Sequence, residues 1–80
     1  MAHTVDVRKR ETVGRRLAAA RALRGLSQSE AAKAIGHTQT HISKLENDRC
    51  ERASIVTIAK LASIYGVSID YLVNGTQAVA

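Results

Sequence analysis

The chain has 80 residues, a formal charge of +5 and a pI near 10.0; it has room for one small domain, and its charge favours an acidic polymer or surface as partner. Hydrophobic residues make up 45% of it and aromatic residues 2%, so the core must be built from Ala, Leu, Ile and Val with Tyr65 and Tyr71. The single cysteine, Cys50, excludes an internal disulfide framework, and with no apolar run of roughly 20 residues and no secretory signal pattern a soluble cytoplasmic protein is expected.

Proline is absent and no alternating apolar run argues for a strand, so the expected fold is all-α. Residues 1–10 carry Arg8, Lys9 and Arg10 without helical periodicity and read as a basic, flexible arm, either solvated or following DNA phosphates. The domain is expected over 11–75, with a tail at 76–80. A first helix runs from about Thr12 to Arg24, with Val13, Leu17, Ala20 and Leu23 as its apolar positions and Arg15, Arg16, Arg21 and Arg24 between them. Gly25 stops it. A second begins with the capping box Ser27-Gln28-Ser29-Glu30, carries Ala31, Ala32 and Ile35 inward, and ends after about two turns at Gly36.

Thr38 caps a third helix, 38–46, that buries Ile42 and Leu45 and leaves Gln39, Thr40, Ser43, Lys44 and Asn47 in one outward stripe. A polar connection from Asn47 to Ala53 leads to a fourth helix, capped by Ser54, with Ile55, Ile58, Leu61, Ala62 and Tyr65 expected on its inner face. Gly66 ends it. Ser68 caps a short fifth helix, where Val67 and Leu72 form a hydrophobic staple and Asp70 complements the dipole, before Asn74-Gly75 ends the turn.

Two short helices joined by a tight glycine turn, the second displaying amides and hydroxyls, form the layout that lets a helix enter the major groove. The run QSEAAKAIGHTQTHISKLEN, Gln28 to Asn47, resembles the helix-turn-helix of Cro-like and lambda-repressor-like regulators, the xenobiotic-response-element family. The resemblance extends through SIVTIAKLASIYGVSIDYLV and back to VGRRL, covering about Thr12 to Val73. It implies a compact five-helix lambda-repressor-like domain that binds double-stranded DNA. It further implies base contacts from Gln39, Thr40 and Lys44, with Ser43 and His41 flanking the same surface, and a phosphate held by Gln28 at the start of the second helix. Asn47, Arg49 and Arg52 lie where they can clamp the DNA backbone. For Glu46, whose charge opposes the dipole at the end of the third helix, the family suggests Arg21 as a structural ion-pair partner.

His37 departs from the family, which usually places an apolar residue in the turn. His37, His41 and Cys50 suggest a metal set only superficially: His37 precedes the helix cap, the two histidines are not expected to share a geometry, and no fourth ligand is evident. No cofactor is expected. With no glycine-rich phosphate loop, nucleophile elbow or paired carboxylates on one face, neither is catalysis. One such module makes few base contacts, so a homodimer on a palindromic operator is expected, with Ile64, Ile69, Tyr71 and Val73 as the candidate interface. The leading reading is a transcriptional regulator, of phage-repressor type or an autoregulatory controller such as that of a restriction-modification system, with the transcription machinery as a possible partner. The alternatives are an antitoxin that also occludes a toxin, and an interaction module without DNA binding.

Overall fold

The computed structural model describes residues 12–50 and 54–76, so the arm with Arg8, Lys9 and Arg10, and Arg52, lie outside the described residues. Among the described residues there are five helices and no strand: α1 (Val13–Leu23), α2 (Gln28–Ile35), α3 (Gln39–Glu46), α4 (Ile55–Tyr65) and α5 (Ile69–Asn74). Each starts on a hydroxyl residue, Thr12, Ser27, Thr38, Ser54 or Ser68, whose side chain accepts from a first-turn amide that the helix leaves without a partner. At α2 the box closes both ways: Glu30 N donates to Ser27 Oγ at 3.0 Å, and Ser27 N to Glu30 Oε1 at 2.8 Å.

Leu17, Ile42, Leu61 and Leu72, one from each of α1, α3, α4 and α5, are the largest fully buried side chains, each stabilising the fold by about 1.5–3 kcal/mol. α2 contributes Ala31 and Ala32, whose small side chains allow the close approach on which the helix-turn-helix depends, and Ile35. Val67 packs against this core. α3 lies on α2 and α1, while α5 packs on α1 and α4.

Three sequence expectations are corrected. Leu23, read as an inward position of α1, is 89% exposed. Each step of three residues falls about 60° short of a full turn, so two such steps carry Leu23 roughly 120° away from Leu17. Ile55 is 60% exposed rather than inward, because the first turn of α4, Ser54 to Val56, lies outside the core and burial begins at Thr57. Arg16, read as one of the cations between apolar positions, is buried. Its Nε donates to Leu72 O at 3.0 Å and its Nη2 to Val73 O at 3.2 Å, satisfying carbonyls that the end of α5 leaves open.

Candidate nucleic-acid interface

The end of α3 fixes how α3 sits on α1. Its chain reverses through Asp48, the non-glycine residue with positive φ (56°) among those described. Asp48 N donates to Leu45 O and Arg49 N to Lys44 O, the same pairing by which helices ordinarily stop on glycine. Aspartate tolerates this left-handed conformation better than most residues. Here its carboxylate also reaches α1, accepting from Gly14 N at 2.9 Å and from the Thr12 hydroxyl at 2.6 Å. An anion thus sits at the positive end of the α1 dipole. Gly14 permits the approach: a Cβ there would lie 2.6 Å from the carbonyl oxygens of both Leu45 and Glu46.

Beside this junction Glu46 is buried, although a negative charge at a helix C-terminus is disfavoured. Arg21 of α1 compensates with a fork: Nε donates to Oε2 at 2.6 Å and Nη2 to Oε1 at 3.0 Å, while Nη1 donates to Leu26 O at 2.8 Å. The hydrogen bond to Glu46 is the chief cause that raises the Arg21 pKa above its ordinary value. Tyr65 lies in the same field. Its hydroxyl is buried with no hydrogen-bond partner among the described residues, and burial first, then the Glu46 charge, pushes its pKa up to about 12.

From Glu46 a relay of amides runs to the surface. Gln28 Nε2 donates to Glu46 Oε1 at 2.9 Å, Gln39 Nε2 donates to Gln28 Oε1 at 3.4 Å, and the Ser29 hydroxyl donates to Gln39 Oε1 at 3.2 Å. A carboxylate only accepts, so Gln28 must turn its NH2 inward and its oxygen toward Gln39. This dictates which way round the Gln39 amide faces. One N–H and one oxygen lone pair of Gln39 remain outside the relay.

The relay borders a shallow concavity of about 600 Å³ lined by Gln28, Gln39, Thr40, Ser43, Lys44, Asn47 and Arg49. Base-reading candidates and most backbone candidates therefore share one surface. Lys44 and Arg49 are exposed and, among the described residues, in no ion pair, so their charge is available to a polyanion. Asn47 turns back on its own helix, donating through Nδ2 to Ser43 O at 2.8 Å. His41 does not line the concavity. Its ring stacks on that of His37 with centroids 4.6 Å apart and planes at 25°. Among the described residues no group of three or more potential metal ligands occurs. Of the candidate interface residues, Ile69 and Val73 are about 40% exposed, and Ile64 and Tyr71 are half-buried against the core. Sequence reasoning missed Asp48, Gly14 and Ser29; for the first, the signal available was an aspartate where a helix must end.

A helix-turn-helix whose second helix presents such a surface has a known kinship, and residues 17–72 match the helix-turn-helix family model. The chain belongs to that family. It is 38% identical over 65 residues to the SPβ prophage-derived uncharacterized HTH-type transcriptional regulator YonR of Bacillus subtilis (strain 168), covering 81% of this chain and 59% of that protein. It is 43% identical over 57 residues to the HTH-type transcriptional regulator PuuR of Escherichia coli (strain K12), covering 71% and 30% respectively. The helix-turn-helix chain thus spans little more than half of one relative and under a third of the other. Its structure is similar to the P22 c2 repressor in complex with synthetic operator 9T, with a TM-score of 0.73 and 26% identity, covering 81% of this chain and 97% of the repressor. No helix among the described residues is long and apolar enough to cross a membrane.

Proposed function

We propose that this chain is a sequence-specific double-stranded DNA-binding transcription regulator of the cytoplasm that inserts α3 into the major groove as a homodimer. The observation that carries this is the relay that runs from the buried Glu46 through Gln28 to the exposed Gln39 and favours one orientation of a base-reading amide before any DNA arrives. The outward N–H and oxygen of Gln39 match the N7 acceptor and N6 donor of adenine, a bidentate pairing that discriminates by about 1–3 kcal/mol. Thr40, Ser43 and Lys44 read neighbouring bases. Within the domain at 11–75, Gln28, His41, Asn47, Arg49 and Arg52 contact phosphates. Relatives named as transcriptional regulators, and a similar repressor bound to operator, support the reading.

The dimer is formed through Ile64, Ile69, Tyr71 and Val73, which brings two reading helices to half-sites about one helical turn, roughly 34 Å, apart. The test is selection of bound duplexes from a random pool, followed by titration of the winner and of scrambled DNA at several salt concentrations. The expected result is a palindrome bound with a large specificity ratio. Salt-sensitive binding without sequence preference overturns it, because charge alone then accounts for the affinity.

A further inference from the structure

Helix α5 has six residues, too few to persist without its surroundings, yet the proposed dimer face lies largely on it. Arg16 holds its end. The planar guanidinium bonds two successive carbonyls, Leu72 O and Val73 O, in a fork that a lysine ammonium cannot reproduce. Gly75 closes over this group in a left-handed conformation (φ 74°), and a Cβ there would lie 3.2 Å from Arg16 Nη1 and 3.4 Å from Cζ. Five residues further along the same helix, about 7.5 Å by the helical rise, Arg21 makes the second fork, onto Glu46 of α3. One rod therefore grips the reading helix with one arginine and the helix of the dimer face with another.

We infer that Arg16 is a positioning residue that sets half-site spacing: through α1 it fixes the distance and tilt of each reading helix relative to the dimer axis. The inference rests on the dimer reading above. Loss of the fork leaves α2 and α3 able to read a half-site but lets α5 swing against them, so the two half-sites need no longer stand at one separation.

The experiment uses the full chain and three probes: the duplex enriched from the random pool, the same duplex with one half scrambled, and the same duplex with one base pair inserted at its centre. The insertion moves one half-site by about 3.4 Å and turns it by about 35°. For the wild type the insertion is expected to weaken binding about tenfold or more. Arg16→Gln is expected to bind the half-scrambled probe within about twofold of the wild type, corrected for folded fraction, but to lose less than about threefold on insertion. Gly75→Ala, which presses on the same guanidinium from the end of α5 while leaving the Arg16 side chain in place, should move the ratio the same way and serves if Arg16→Gln does not fold. A merely structural role lowers all three affinities in parallel and leaves the insertion ratio intact, and that result overturns the proposal while the dimer reading stands. A wild type indifferent to the insertion and to the scrambled half overturns both.

Discussion

The two ends of α3 are built on opposite plans. At its start Thr38 caps the helix, Gly36 turns in open space with nothing within 4 Å of where a Cβ would stand, and the His37–His41 stack is largely solvent-facing. At its end Glu46 is buried under the Arg21 fork, Asp48 holds the start of α1, and Gly14 admits no further atom. The contrast teaches that the helix is clamped from behind and presented from the front. Gln39 and Thr40 belong to the free end, but the orientation of Gln39 is decided at the clamped one, through Gln28.

Removing the clamp is expected to cost most. Glu46→Ala strands the Arg21 guanidinium and should destabilise the fold by about 3 kcal/mol in urea unfolding. It should also weaken operator binding beyond the loss of folded protein, because Gln28 is then free to rotate. Next comes a matched glycine pair. Gly14→Ala drives a methyl against two backbone carbonyls and should cost about 2 kcal/mol, since backbone yields less readily than a side chain. Gly36→Ala meets no neighbour and should cost about 1 kcal/mol, the price of a left-handed alanine alone. Equal losses from the two would abolish the distinction between the ends.

Tyr65 sharpens the comparison by pH. Folding raises its pKa from about 10 to about 12, through burial and then the Glu46 charge. The associated stability is thus fully present below pH 10 and is lost as the pH climbs from 10 toward 12. Tyr65→Phe removes a buried hydroxyl with no partner among the described residues, so it should be neutral to about 1 kcal/mol stabilising at pH 7. Its advantage over the wild type should widen above pH 10 in thermal melts, and a constant gap would remove Tyr65 from the account. The smallest effect belongs to the free end: His37→Ala should change stability by less than about 0.5 kcal/mol, as for exposed positions generally.

Features settled within a few residues of one another were legible in the sequence. The hydroxyl caps at Ser27, Thr38, Ser54 and Ser68 and the glycine stops at Gly36 and Gly66 announce themselves locally, and they placed the four helices α2 to α5. The outward stripe on α3 followed from helical spacing. What escaped depends on partners far apart in the chain. Arg16 looks like any other surface arginine until Leu72 and Val73, more than fifty residues on, present their carbonyls to it. Gly14 and Asp48 carry no mark of their contact across 34 residues. Leu23 and Ile55 failed for a different reason: apolar spacing identifies a face but not where along the helix the neighbouring core stops.

The relay that ends at Gln39 leaves Thr40, Ser43 and Lys44 outside it, with none of their side chains engaged in a hydrogen bond among the described residues. Those three positions can be rewritten one at a time without disturbing the clamp, whereas a change at Gln39 propagates to Gln28 and toward a buried carboxylate. Three neighbouring surface positions are thus open to exchange in descendants of this chain or in design, while Gln39 is tied to the interior of the fold.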